Sequence, residues 1–260
     1  MAYESDLTVL TVVENDDGLL ELMVKSVLKF TNPKPNFIIC DNTNGKNKDR
    51  IKEAFGNYNN YQIVNNNPIL QGGSNRHGDG LNKAFPMADS KYTAILDSDT
   101  CVLHKDWYKI NSPLPVKATL KINGKNGKIL EHTYHMCFFV FETDILRKNT
   151  KKPMDFRPGK DNNRINGQSY DVKYDVGWQI CNQITQDRVE LLKFRDCKCD
   201  GIVFRDIQCD EFHDKNNNII ATHFGRGSNL AGKKEIKDYG THKQQVERWK
   251  DIVNEIINKG

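Results

Sequence analysis

The chain has 260 residues, a formal net charge of +4 and 37% hydrophobic residues, a length that suits one large α/β domain with a sizeable core. The mild positive excess is scattered, whereas a nucleic-acid footprint needs Lys and Arg gathered on one face. No apolar run approaches the ~20 residues of a bilayer helix. The first residues have no basic and apolar leader, and seven cysteines cannot all pair, so reduced thiols in a cytoplasmic protein are the expectation.

Taken in chain order, the first hundred residues alternate between strand and helix signals. Leu7–Val13 is a β-branched apolar run too short for a helix, which predicts a buried strand. Asp16 and Asp17 are N-cap types, and Leu19, Leu20, Leu22, Met23, Val27 and Leu28 follow at helical spacing until the prolines Pro33 and Pro35 stop them. A second strand is expected at 37–40, then a turn cluster from Asp41 to Gly45. A polar helix near Lys48–Phe55 precedes a strand at 61–64. A helix near 81–88 leads into a strand at Tyr92–Leu96, which ends in Asp97-Ser98-Asp99. Strands alternating with helices imply βαβ units and a largely parallel sheet. Ligands of such sheets sit outside the carboxyl ends of the strands. Glu14-Asn15, Asp41-Asn42 and Asp97-Ser98-Asp99 all fall at those ends.

The second half is less regular. Strands are expected at 116–122 and 135–141. Residues 154–174 lack hydrophobic periodicity and are rich in Asn and Gly, the composition of a functional or mobile segment. Helical spacing resumes at 175–184. Strands are expected at 189–194, 201–207 and Ile219–His223, and an amphipathic closing helix at 243–258 carries Val246, Trp249, Val253, Ile256 and Ile257. No internal repeat or linker divides the chain. Asparagine is abundant, with 28 residues, and favours turns and caps.

Asp97-Ser98-Asp99 is the sharpest chemical feature. Two carboxylates one residue apart, just past a buried strand, can serve a divalent cation and a ribose hydroxyl, and hard cations prefer carboxylate oxygen. A plain polar turn is the alternative. Cys197, Cys199, Cys209 and His213 suggest a zinc cluster. The Cys-x-Cys spacing is tighter than that of structural zinc sites, which favours unrelated thiols.

Four segments together resemble the nucleotide-sugar half of a family 2 glycosyltransferase of the GT-A fold. They are Leu7-Thr-Val-Leu-Thr-Val-Val-Glu-Asn15, Phe37-Ile-Ile-Cys-Asp-Asn-Thr43, Asn75-Arg-His-Gly-Asp-Gly-Leu-Asn-Lys-Ala84 and Tyr92-Thr-Ala-Ile-Leu-Asp-Ser-Asp99. The resemblance implies an α/β, Rossmann-like and mostly parallel central sheet with helices on both faces and a smaller acceptor-side region. One domain would comprise a donor half over 1–110, an acceptor-side half over 111–232 and a C-terminal helix over 233–260.

The activity implied is metal-dependent, inverting transfer of a sugar from a UDP-, GDP- or dTDP-sugar to a hydroxyl of a glycan or other acceptor, with Mn²⁺ or Mg²⁺. The setting implied is cytoplasmic, with association at a membrane where acceptors are assembled. Residue by residue, Thr11 and Val13 would line the donor's base and ribose, with plain strand core as their alternative. Asp41 would meet the base, unless it serves an Asx-turn. Arg76 would lie near the diphosphate or base, Asp97 would hold ribose or metal, and Asp99 would bind the metal. His223, followed by Gly-Arg-Gly-Ser, resembles the late histidine ligand of such enzymes, and Arg226 would face the diphosphate. Asp175 would be the base for the acceptor hydroxyl or else a helix cap, with Asp171 and Asp155 as fallbacks. Trp178 would stack on a sugar or belong to the core. At His77-Gly78-Asp79-Gly80 the sequence departs from the family, and Asp79 could contact the sugar or cap the next helix. A sugar nucleotidyltransferase and a non-catalytic binding module of the same fold are the alternatives. The acidic Glu14-Asn15-Asp16-Asp17 segment argues against the first, because it suits a triphosphate poorly.

Overall fold

The structure is a computed structural model that describes residues 6–14, 18–69, 72–110, 113–125, 128–148, 154–165, 168–173, 175–181, 183–225 and 241–259. The first strand, β1 (Leu7–Val13), is buried along its whole length, as an apolar run covered on both faces must be. It pairs in parallel with β2 (Asn36–Asp41) and with β4 (Tyr92–Leu96), and β2 pairs in parallel with β3 (Tyr61–Asn65). Beyond this parallel core the sheet continues through mostly antiparallel neighbours. β7 (Lys128–Glu142) lies beside β4, followed by β6 (Val116–Lys125), β10 (Val189–Asp196), β11 (Asp210–His213), β12 (Ile219–His223) and β5 (Thr100–Val102). The result is a ten-stranded mixed α/β sheet, parallel where the sequence predicts it, with β6–β10 a further parallel pair.

Helices cover both faces, and a short one, α4 (Thr143–Lys148), follows β7. α1 (Leu19–Phe30) and α2 (Lys48–Phe55) pack Leu20, Met23, Val27 and Ile51 against Val9, Val13 and Ile39 on one side. α3 (Gly73–Ala84) packs Leu81 and Ala84 against Leu10, Val12 and Ile38 on the other. The last helix, α6 (His242–Lys259), completes a third cluster. Its Val246, Trp249 and Val253 meet Leu19, Leu22 and Phe224, and the Trp249 indole donates to Thr222 Oγ1 at 3.0 Å. Among the described residues, no helix is long and apolar enough to cross a membrane.

Several elements differ from the sequence expectation. α3 begins eight residues before the predicted start, because Gly73, Gly78 and Gly80 depress local helix propensity, while Gly78 and Gly80 serve close packing. A Cβ on Gly78 would lie 2.6 Å from the Arg157 Cα, and one on Gly80 would lie 2.8 Å from Val12 Cγ1. Gly78→Ala gains about 1 kcal/mol of helix propensity. It also meets backbone that no rotamer change can move aside, and overpacking costs about 1–3 kcal/mol. The expected result is a net loss of stability in urea unfolding, and a more stable variant would refute the close approach.

Residues 154–174 contain a hairpin, β8 (Lys160–Ile165) with β9 (Gln168–Lys173), which includes Asp171 opposite Asn162. Both strands are polar, so periodicity could not reveal them. Asn166-Gly167 between them was the usable signal. The helix predicted at 175–184 shrinks to one turn, α5 (Trp178–Cys181). Residues 201–207 form turns instead of a strand, because the buried Glu211 carboxylate collects their backbone donors.

Candidate functional site

β4 ends at Leu96, and the chain turns through Asp97-Ser98-Asp99 into β5. The Asp97 amide donates to the Cys137 carbonyl at 3.2 Å, and the Phe224 amide donates to the Asp99 carbonyl at 3.0 Å. The acidic turn is therefore held between β7 and the end of β12. In the antiparallel β5–β12 pair His223 stands opposite Thr100, which brings its ring onto the turn. His223 Nε2 lies 3.4 Å from Asp99 Oδ1 and 3.6 Å from Asp97 Oδ2. Its Nδ1 lies 3.2 Å from Asp210 Oδ2, since Asp210 faces it across the β11–β12 pair. On the other side His77 of α3 places Nε2 3.4 Å from Asp97 Oδ1.

Asp97, Asp99, His77 and His223 border a cavity of about 320 Å³ that also exposes Val12, Glu14, Ser74, His135 and Asp175. Burial opposes charge on both partners of the central pair, and their neighbours outweigh it. Asp97 is held well below the usual carboxylate range by His77 and His223. The His223 imidazole is raised well above its ordinary value by Cys137, Asp99, Asp210 and Asp97. Burial pushes the Cys137 thiol up to about 12. Asp97, Asp99 and His223 bring donor atoms within 4.8 Å of one another. Two carboxylates and one imidazole are a donor set that could hold a divalent cation. The buried Asp97 Oδ1 makes no hydrogen bond and faces His77 Nε2 at 3.4 Å.

The remaining predicted residues are distributed differently. Thr11 and Val13 are fully buried, and Val13 packs among Val9 and Ile39 beneath α1. In this structure both belong to the strand core, the alternative reading for Thr11 and Val13. Alternation along β1 turns Val12 toward the cavity instead. Asp41 is fully buried at the end of β2, where its Oδ1 accepts from the Thr43 amide (2.9 Å) and hydroxyl (2.6 Å) and Oδ2 accepts from the Asn47 amide (3.3 Å). It fastens the β2–α2 loop. The Arg76 guanidinium pairs with Glu14 and reaches the Asn42 carbonyl at 3.5 Å. Asp79 Oδ2 accepts from Asn66, which also donates to Asn42 Oδ1 at 2.9 Å, so Asp79 belongs to a polar network joining β2, β3 and α3.

Asp175 stands on the cavity wall and its Oδ1 accepts from the Val176 amide at 2.8 Å. Asp155 is engaged by Arg157 and Asn82, which hold its carboxyl down at about 2. Asp171 lies in β9. Trp178 packs its ring over Gly159, where a Cβ would come within 2.4 Å. Arg226 lies outside the described residues. Cys199 is exposed and His213 Nε2 is 2.7 Å from Glu211 Oε2, and among the described residues Cys197, Cys199, Cys209 and His213 form no metal-ligating group, in line with unrelated thiols. His77, Asp210, His135 and Cys137 had no assigned role in the sequence. His135 and Cys137 share a strand face at i, i+2, which was a usable signal. Asp210 had none, because its place depends on cross-strand register.

A parallel α/β core with carboxylates and an imidazole converging at its strand ends defines a class of nucleotide-handling folds. The family model for glycosyl transferase family 2 matches residues 8–149, more than half of the chain, and the chain belongs to that family. Among solved structures it is similar to the mannosyltransferase PcManGT of Pyrobaculum calidifontis, determined with GDP-Man and Mn²⁺. The identity is 14%, the alignment covers 56% of this chain and 47% of that one, and the TM-score is 0.43. It is also similar to S. aureus TarS 1-349 (18% identity, 55% and 48% covered, TM-score 0.41). A third is glucosyl-3-phosphoglycerate synthase of Mycobacterium tuberculosis, determined with Mn²⁺ and UDP-Glc (9% identity, 71% and 67% covered, TM-score 0.43). The chain spans about half the length of the first two. No curated protein sequence matches it.

Proposed function

We propose that the chain is a metal-dependent, inverting glycosyltransferase that moves a sugar from a nucleoside diphosphate sugar to a hydroxyl of a glycan or other acceptor. The observation that carries this reading is the convergence of Asp97, Asp99 and His223 on a cavity that also presents Asp175. Asp99 and His223 would hold Mn²⁺ or Mg²⁺, with Asp97 shared between the ion and the ribose. The bound ion would offset the negative charge of the departing diphosphate. Asp210 orients the His223 ring through Nδ1, leaving Nε2 toward the carboxylates.

Asp175 is the base of this proposal. It accepts the proton of the acceptor hydroxyl as that oxygen attacks the anomeric carbon from the face opposite the diphosphate, which inverts the centre. α5 is a single turn, so its dipole adds little to the charge state of Asp175, and exposure to the cavity is the argument for it. The Arg76–Glu14 pair would have to open for Arg76 to meet phosphate, and Arg226 would add a second guanidinium. Work in the cytoplasm, against acceptors assembled at a membrane, is part of the same proposal.

A thermal-shift screen of UDP, GDP and dTDP with and without Mn²⁺ tests the reading. A ligand at about 100 times its Kd stabilises by about 2.7 kcal/mol, or roughly 5–10 °C for a domain of this size. One base should give that shift only with the ion present. No shift with any of the three in Mn²⁺ would remove the proposal.

A further inference from the structure

We infer that the cavity wall carries a second, softer metal site, formed by His135, Cys137 and His223, which takes Zn²⁺ and excludes the ion held by Asp97 and Asp99. One donor atom from each of the three residues lies within 4.8 Å of the others. His135 and Cys137 project from the same face of β7, with Cys137 Sγ 2.8 Å from His135 Nδ1. The His135 and His223 rings meet edge to face with centroids 5.5 Å apart.

The surroundings are those of a built site. Phe194 stacks on the His135 ring at 6.1 Å between centroids, and Phe212 lies 6.0 Å away on β11. Asp210 Oδ2 sits 3.2 Å from His223 Nδ1, the carboxylate–histidine arrangement that orients an imidazole toward a metal. One thiolate and two imidazoles suit Zn²⁺ and select against Mg²⁺ and Mn²⁺, which prefer oxygen. With Zn–S of about 2.3 Å and Zn–N of about 2.0 Å, a tetrahedral S···N edge is about 3.5 Å, so the present contact has to open by less than about 1 Å. Binding forms the Zn–S bond and releases the Cys137 thiol proton to solvent. Water completes the fourth position. His223 belongs to both donor sets, so the two ions compete for one imidazole. The exclusion rests on the proposed function, whereas the site itself does not.

Co²⁺ reports the site without any activity. Titrating the full chain with Co²⁺ should give the strong visible bands of four-coordinate cobalt and a near-ultraviolet sulfur-to-cobalt absorption. Cys137→Ser should lose the sulfur band while its circular dichroism stays unchanged. His135→Gln, which keeps the thiol, should weaken the visible bands and decides the matter if Cys137→Ser does not fold. Only the weak bands of six-coordinate cobalt, or a sulfur band unchanged in Cys137→Ser, would overturn the site. In turnover assays Zn²⁺ should lower the Mn²⁺-supported rate by at least about tenfold, in keeping with the stability order of these ions. The ratio of rates with and without Zn²⁺ should recover in Cys137→Ser. Unchanged wild-type turnover in Zn²⁺ would overturn the exclusion, and a protein with no turnover at all would count against the proposed function while the cobalt spectra still judge the site.

Discussion

Replacing Asp99 with alanine should lower sugar transfer and metal-dependent donor hydrolysis by at least about 10³-fold, equivalent to about 4 kcal/mol of transition-state stabilisation. Asp99 supplies one of the two carboxylates facing His223 Nε2, at 3.4 Å, and an ion held by the remaining pair would lose a charged ligand from a small donor set. The fold should survive, because the structural contacts of this turn are made by main chain. The Asp99 carbonyl receives the Phe224 amide, and Thr100 pairs with His223. Transfer and hydrolysis assays, with calorimetric Mn²⁺ titration and circular dichroism, measure both halves of the expectation. A folded Asp99→Ala protein of full activity would refute the assignment of the metal site.

Glu211→Gln should destabilise the protein by about 3 kcal/mol near neutral pH and flatten its acid unfolding. Glu211 is fully buried. Its Oε1 accepts from the amides of Ile202 (3.1 Å), Val203 (2.8 Å) and Phe204 (2.6 Å), and Oε2 lies 2.7 Å from His213 Nε2. Burial opposes the charge, and His213 with the three amides outweighs it, so the carboxyl falls from 4.5 to about 2. A depressed carboxyl contributes stability above its unfolded value. That contribution is lost as pH falls from about 4.5 through about 2. Glutamine keeps one acceptor and turns an NH₂ group into a cluster of donors, so the variant lacks the contribution at every pH. Urea unfolding as a function of pH should give the wild type a steeper acid slope than Glu211→Gln, and equal slopes would refute the argument. The effect should extend to the site. Glu211 ties the 202–204 turn to β11, and β11 also carries the Asp210 that orients His223.

The readable parts of the sequence share a physical cause. β1, β2 and β4 are buried on both faces or nearly so, and burial of that kind demands an unbroken apolar run. The Asp97-Ser98-Asp99 turn was legible for the same reason, since a parallel strand must end and its carboxyl end is where polar groups collect. α6 was legible from one apolar stripe. The start of α3 was not, because its glycines are selected by the nearness of Val12 and the Arg157 backbone, which no local pattern encodes. The face that Thr11 and Val13 take is not legible in the sequence, because a strand buried on both sides carries no polar alternation to mark which residues look outward.

By itself, then, the sequence determined the strand–helix alternation and the acidic strand ends, and it singled out Asp97, Asp99 and His223 as candidate positions. Local pattern carries these, because periodicity and turn chemistry act between residues near in the chain. The tertiary structure decided which of them meet. Antiparallel register sets His223 opposite Thr100 and beside Asp210, packing of α3 brings His77 to Asp97, and the pleat of β7 turns both His135 and Cys137 toward His223. The charge states of the site follow from those long-range approaches. A field between buried groups depends on ångström distances across the sheet, and separation along the chain does not measure them.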